Sequence, residues 1–171
     1  MSDYRNHIGI IGGGIAGLTL GCALLKQDIP AIIFEKMPEE TSHGAAISLS
    51  SNALRLLDRL EIYNDLKNQS FVHSVASIQG PQKEISSFPT PEVLTTRRQT
   101  LMSLLYSRYI NLGGEIFHHH DFASFDVAKC EATFTNENKY TLKHLAACDG
   151  IRSSIRDIFF AANQDPKYSG Y

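Results

Sequence analysis

The feature that most narrows what this chain can fold into is the run His7-Ile8-Gly9-Ile10-Ile11-Gly12-Gly13-Gly14-Ile15-Ala16-Gly17-Leu18-Thr19-Leu20. It reads as a short buried strand, a glycine turn and the first turns of a helix. Gly12, Gly14 and Gly17 occupy the first, third and sixth places of the G-x-G-x-x-G pattern. In that pattern the first glycine permits a tight turn, the second lets a pyrophosphate reach the backbone, and the third lets helix and strand pack closely. Amide groups and the positive dipole end of a helix starting near Gly14 favour a phosphate without any basic side chain.

A glycine-rich turn alone is weak evidence, and its structural alternative is a plain tight turn. Context decides between them. Leu18, Leu20, Ala23, Leu24 and Leu25 give the following helix a broad apolar face. After Asp28 and Pro30 a second apolar run, Ala31-Ile32-Ile33-Phe34, ends in Glu35, 18 residues beyond Gly17. That is close to the roughly 20-residue spacing of the acid that hydrogen-bonds a ribose hydroxyl. Strand, turn, helix, strand and acid in this order predict dinucleotide binding, and the acid disfavours a 2′-phosphate at its side. The nucleotide expected is FAD or NAD(H) rather than NADP(H).

With 171 residues the chain is long enough for a sizeable core and is expected to form one domain, residues 1–171. It is short for an enzyme that holds both a dinucleotide and a substrate. The formal net charge is −2 and no long charged run occurs, so composition supports neither nucleic-acid nor anionic-membrane binding and points to a small-molecule partner. No apolar stretch reaches the ~18 residues of a membrane-spanning helix. The N-terminal apolar run is punctuated by glycine and lacks a basic leader, and the expected location is the cytoplasm. Cys22, Cys130 and Cys148 are odd in number and far apart, which fits reduced thiols better than a disulfide framework or a zinc site.

Further along, residues 36–44 read as a loop, and Gly44-Ala45-Ala46-Ile47 offers small residues either for close approach to a flat ligand or for a simple turn. Ser50, Ser51 and Asn52 provide N-caps for a helix whose Leu54, Leu57 and Leu60 share one face. Residues 62–68 suggest a second short helix. Residues 71–78 and 84–88 suggest paired strands turned by Gly80-Pro81, and Pro89 and Pro91 a rigid connection. Leu101, Leu104, Leu105, Tyr109 and Ile110 keep helical spacing up to Gly113-Gly114, and residues 115–118 begin another strand. Three strands are predicted at 122–127, 131–135 and 140–147, with residues 135–139 as the clearest hairpin turn, and a last helix begins at Ile151. The fold class that follows is α/β, with a mainly parallel sheet and a small three-stranded antiparallel meander.

Four segments together resemble the single-component FAD-dependent aromatic monooxygenases of the para-hydroxybenzoate hydroxylase type. The turn with Glu35 resembles that family's first FAD fingerprint. Gly44 to Leu54 is similar to its G-x-G-I-x-L-x-x-N-A-L segment, which passes near the flavin. Arg98-Gln99-Thr100-Leu101 looks like its R-x-x-L element, and Asp149 to Arg156 like its D-G-x-x-S-x-x-R motif. The resemblance implies a Rossmann-like FAD-binding domain with the substrate domain largely missing, and NAD(P)H as a transient reductant. It also implies an aromatic or similar small-molecule substrate, with O2 as the oxygen source. The implied cofactor-binding residues are Gly12, Gly14, Ile15, Ala16, Gly17, Glu35, Lys36, Ala46, Arg98 and Asp149. No catalytic acid or base and no metal ligand is nominated.

Each has a physical counterpart. Arg98 at a helix start would present a fork of donors to a phosphate or ribityl oxygen. Asp149 suits either a cofactor contact or a helix cap. Arg152 and Arg156, one turn apart, call for an anion or an acid between them. Departures also stand out: Ala46 replaces a glycine, and Ala147-Cys148 stand where the family has Gly-Ala. The family's second FAD fingerprint would lie beyond Tyr171, and Lys167 to Tyr171 resemble the entry to the substrate sheet, so an N-terminal portion is expected. Two other readings stay open: an NAD-dependent dehydrogenase, and a non-catalytic module that self-associates through apolar surface exposed by truncation. His118-His119-His120 would place two imidazoles on one strand face, too few for a zinc site. No G-x-S-x-G context anchors hydrolase chemistry.

Overall fold

The computed structural model describes residues 4–38, 44–81 and 83–160. The loop expectation for 39–43 and the reading of Lys167 to Tyr171 lie outside the described residues. The elements run β1 (Ile8–Ile11), α1 (Ile15–Leu25), β2 (Ala31–Phe34), β3 (Ala46–Leu49), α2 (Ser51–Arg59), α3 (Tyr63–Lys67), β4 (Phe71–Gln79), β5 (Glu84–Arg97), α4 (Arg98–Asn111), β6 (Glu115–Phe117), β7 (Phe122–Asp126), β8 (Glu131–Phe134), β9 (Lys139–Thr141), β10 (His144–Ala147) and α5 (Ser154–Phe159). They group into two compact units, Met1–Thr41 with Leu105–Tyr171, and Ser42–Leu104.

The first unit is built on a parallel sheet of order β10-β1-β2-β6. Every residue of β2 is buried, and the alternation of side chains explains why. Ile10 and Ile33, paired across β1 and β2, point to the helical face, where a Cβ on Gly17 would lie 3.3 Å from Ile10 and one on Gly21 3.3 Å from Ile33. Ile11, Ile32 and Phe34 point the other way, into a cluster with Tyr4, Phe122, Phe134, Leu142 and Ile155. Strands covered on both faces read as continuous apolar runs rather than alternating ones. The antiparallel meander β7-β8-β9 supplies much of the second cover.

On the helical face, Tyr109 is fully buried and its ring fills the space left by two glycines. A Cβ on Gly21 would come within 2.6 Å of the ring, and one on Gly114 within 2.3 Å. The phenol lies within hydrogen-bond reach of two backbone oxygens, Ala31 O at 3.0 Å and Glu115 O at 3.1 Å. Burial pushes this phenol well above the ordinary tyrosine range, so it stays a donor. Cys22 is buried beside it in α1, donates to Leu105 O at 3.6 Å, and is pushed by burial up to about 11. All three cysteines are free thiols.

The second unit holds the antiparallel sheet β3-β5-β4. Leu54, Leu57 and Leu60 are buried as their spacing predicts. Ser50 occupies the N-cap of α2 without a side-chain hydrogen bond. A cluster joins α3 to β5: Tyr63 donates to Glu92, and the Lys67 ammonium donates to Glu92 at 2.7 Å and to the Tyr63 hydroxyl at 3.0 Å. The Lys67 and Tyr63 donors hold the Glu92 carboxyl below its ordinary range.

Four sequence expectations are corrected. Pro89 and Pro91 do not form a connection but lie inside β5, where pairing jumps from Val75↔Pro89 to His73↔Val93. Such an irregularity tolerates residues that lack an N–H. The strand expected at 140–147 splits at Leu142-Lys143: β9 completes the meander and β10 pairs parallel with β1. The last helix starts at Ser154, not Ile151, because Ser153 caps it by accepting from Arg156 N at 3.0 Å. Finally, β6 ends at Phe117, so His118 to His120 form a loop and share no strand face.

Two substitutions test this packing. A Cβ on Gly17 would sit 1.9 Å from Gly12 O, a backbone clash with no rotamer to relieve it. Gly17→Ala should therefore cost on the order of 3 kcal/mol and lower the thermal midpoint by about 6–12 °C. Tyr109→Phe removes the one phenol proton that lies within reach of the Ala31 and Glu115 carbonyls and should cost about 1–2 kcal/mol in denaturant unfolding. An unchanged midpoint in either variant would contradict the packing described.

Candidate cofactor site

All four strands of the parallel sheet run the same way, so the loops after β1, β2, β6 and β10 emerge at one edge. In parallel sheets, ligands bind outside the carboxyl ends of strands where the strand order reverses. Here β1 is that point: the chain moves from it to β2 and β6 on one side and returns to β10 on the other. A cavity of about 220 Å³ opens at this edge. Its lining includes Gly12 and Gly14 after β1, Glu35 and Lys36 after β2, His120 and Asp121 after β6, and Cys148, Asp149 and Arg152 after β10. The volume is below that of a typical drug-sized pocket.

The glycine turn has the expected geometry. Gly12 has φ +104, and a Cβ there would meet Cys148 O at 2.4 Å. Gly17 brings α1 against the Gly12 carbonyl. Gly14 is different: it is the N-cap of α1 with ordinary extended angles, and a Cβ on it would meet nothing within 4 Å. Among the described residues no packing contact demands glycine at that position, and Gly14 lines the cavity edge. The first intrahelical bond is Leu18 N to Gly14 O at 2.9 Å, so helix geometry leaves the amides of Ile15, Ala16 and Gly17 without intrahelical acceptors. The turn carries no acidic side chain in its first helical residues.

Glu35 stands at the end of β2. Its carboxylate accepts Gly13 N at 2.5 Å through one oxygen and Met37 N at 2.8 Å through the other. Each carboxylate oxygen retains a further lone pair for a hydroxyl. Lys36 follows, exposed.

Asp149 accepts Ile155 N at 3.3 Å and so helps to cap α5, the structural alternative weighed for it, while also lining the cavity. Arg152 lines the cavity too. Arg156 turns away, donating to Ile151 O at 3.0 Å and pairing with Asp157 at 3.5 Å. Burial and the neighbouring Asp149 carboxylate push the Cys148 thiol up.

The remaining two expected residues belong to the second unit. Ala46 pairs with Arg97 across β3 and β5. Arg98 opens α4, its N–H donates to Ala45 O at 3.1 Å, and its side chain lies against Gly44, where a Cβ would come within 2.6 Å of the arginine Cδ. The first unit therefore gathers Gly12, Gly14, Glu35, Lys36 and Asp149, and the second places Ala46 close to Arg98.

Sequence reading missed His120, Asp121 and Cys148 as cavity residues. The signal was present: each follows a strand of the parallel sheet, and loops after parallel strands share an edge. Among the described residues no three His, Cys, Asp or Glu side chains group into a metal site. Among the described residues no helix is long and apolar enough to cross a membrane.

Comparison with known proteins agrees with this geometry. The family model described as FAD binding domain matches residues 5–162. The FAD-dependent monooxygenase penM of Penicillium crustosum is 29% identical over 96% of this chain and 38% of its own length. Monooxygenase 1 of Arabidopsis thaliana is 31% identical over 86% of this chain and 39% of its own. A crystal structure of 2-methyl-3-hydroxypyridine-5-carboxylic acid oxygenase superposes with a TM-score of 0.82 at 26% identity, covering 90% of this chain and 42% of that one. The chain thus spans about two fifths of the length of these relatives. With a match running through both units, the glycine turn and the cavity edge, the chain belongs to the FAD-binding-domain family of the flavoprotein monooxygenases.

Proposed function

We propose that this chain, as a single FAD-binding domain over 1–171, serves an NAD(P)H- and O2-dependent monooxygenase acting on an aromatic or similar small ring. The observation that carries the reading is the open space at Gly14 beside Glu35 and the free amide end of α1. It is a cradle whose shape is explained by an external anion and hydroxyl, not by internal packing. The aromatic substrate class is supported by the hydroxypyridine carboxylate named for the structural relative.

In this reading the amides of Ile15, Ala16 and Gly17 and the positive end of α1 hold the pyrophosphate. Gly14 admits it to van der Waals distance of the backbone. Glu35 accepts a ribose hydroxyl, and Lys36 faces the same end of the nucleotide. Asp149 contributes from the loop after β10. In the second unit, Arg98 offers its guanidinium donors to a phosphate or ribityl oxygen, and β3 carries the small side chain of Ala46 where bulk would obstruct a flat ring. FAD, when bound, would supply the redox chemistry, in which NAD(P)H with a proton provides two electrons, one oxygen atom of O2 goes to the substrate and the other leaves as water. We place the protein in the cytoplasm, and self-association through Phe71, Val75, Ile78 and Phe88, all exposed on β4 and β5, belongs to the same proposal.

Absorbance and thermal-shift titrations of the purified chain test it, with FAD and NADH in parallel. Saturable stabilisation by FAD, about 2.7 kcal/mol at a hundredfold excess over Kd, is expected, with no comparable effect of NADH. Gly14→Ala should keep the ligand-free midpoint within about 2 °C, since the added methyl meets nothing, yet weaken FAD by about tenfold. Glu35→Ala and Arg98→Ala should each weaken FAD by about 10- to 100-fold. Stabilisation by NADH alone would favour a dehydrogenase, and no stabilisation by either would overturn the assignment of the cofactor to these residues.

A further inference from the structure

The loop after β6 contains three consecutive histidines, and the structure gives each of them a separate use. His118 donates from Nδ1 to Met37 O at 3.1 Å. His119 has φ 58, in the left-handed region, and its carbonyl accepts the side-chain amide of Asn136 at 2.9 Å. His120 is 8% exposed and lines the same cavity as Glu35. Its main-chain N–H donates to Glu35 O at 3.0 Å, while Glu35 N donates to Phe117 O at 2.9 Å. The backbone of Glu35 is therefore held on both sides by the segment that carries His120.

The ring of His120 fixes that segment. Its Nδ1 lies 2.7 Å from His118 O, which can only accept, so Nδ1 carries the proton. Its Nε2 then accepts from the Tyr140 hydroxyl at 3.0 Å, with the Asn138 side-chain amide 3.2 Å away. Tautomer and amide orientation follow from these partners. The ring thus bridges its own loop to β9 and the β8–β9 turn, and it packs 5.8 Å from the Phe34 ring that precedes Glu35. A buried histidine satisfied at both nitrogens holds one loop geometry, because any other leaves a buried polar atom unpaired.

We propose that His120 is a positioning residue for nucleotide binding: through its hydrogen bonds to His118, Asn138 and Tyr140 it sets where the Glu35 carboxylate stands relative to the glycine turn. The proposal rests on the FAD assignment above. It gives the meander, which supplies no expected cofactor contact, a part in the affinity for the adenosine end of the cofactor.

The test is a double-mutant cycle, with Kd measured for FAD and for ADP, which carries the adenosine diphosphate end without the flavin ring. His120→Phe keeps an aromatic ring but removes the hydrogen bonds of both ring nitrogens, and should weaken FAD and ADP alike by about tenfold. His120→Asn, whose amide can still donate to His118 O, should recover part of that loss. In a Glu35→Gln background, where the carboxylate is already gone, His120→Phe should change either affinity by less than about twofold. Equal losses in both backgrounds, or no loss with ADP, would overturn the proposal. Should His120→Phe fail to fold, Tyr140→Phe takes its place in the cycle under the same criteria. Independently of any ligand, the amide resonance of Gly13, which donates to Glu35, should shift in Tyr140→Phe, and an unmoved Gly13 resonance would overturn the proposal. Failure of the unsubstituted chain to bind FAD or ADP would strike the cofactor assignment instead, with the Gly13 resonance still deciding the role of His120.

Discussion

The first unit depends on one close approach. The first helix comes down onto the first strand until Gly17 leaves no room between itself and the Gly12 carbonyl. That contact sets the position of the helix start. Once it is set, the amides of Ile15, Ala16 and Gly17 face the edge of the sheet, and the dipole of α1 ends where an anion can reach it. Any larger residue at Gly17 would move the helix and, with it, these amides. Neighbouring glycines differ in this respect: Gly17 is required by packing, whereas Gly14 faces open space.

The second determinant is burial on both faces of β1 and β2. One face takes α1 and the Tyr109 ring, the other takes the aromatic cluster around Phe34 and the meander. Phe34 lies 4.5 Å from Phe134 and 4.8 Å from Tyr140, centroid to centroid, distances at which aromatic pairs add to simple burial. This packing lies directly behind Glu35. The acid thus projects from the end of a strand whose preceding residue is locked, and its own backbone is hydrogen-bonded on both sides. Such support fixes where the carboxylate stands, since precision at a site comes from the residues that hold it.

Much of the cofactor site could be read from the chain, and the reasons are local. The glycine pattern, the apolar run before it and the acid after β2 are each consequences of short-range geometry, so spacing alone exposed them. The cap of α5, by contrast, was read one turn too early, because Ile151 to Ser153 resemble a helix start until the Ser153 hydroxyl takes the Arg156 amide. Pro89 and Pro91 suggest a rigid connection by their local chemistry, and only the irregular pairing with β4 shows how a strand passes through them. The loop of His118 to His120 was the least legible, since its hydrogen bonds go to Met37, Asn136, Asn138 and Tyr140, none of them close in the chain.

What the amino-acid sequence determined by itself was the β1–α1–β2 unit, its glycine turn, the acid at its partner strand and the presence of a meander. These follow from periodicity, glycine sterics and turn chemistry acting over a few residues. Tertiary structure alone decided that β10 lies beside β1, that the segment 140–147 divides between two sheets, and that His120, Asp121 and Cys148 share a cavity with Glu35. Those outcomes depend on strand order. Strand order is settled by which apolar faces can be buried together across more than a hundred residues of chain, and no local spacing encodes it.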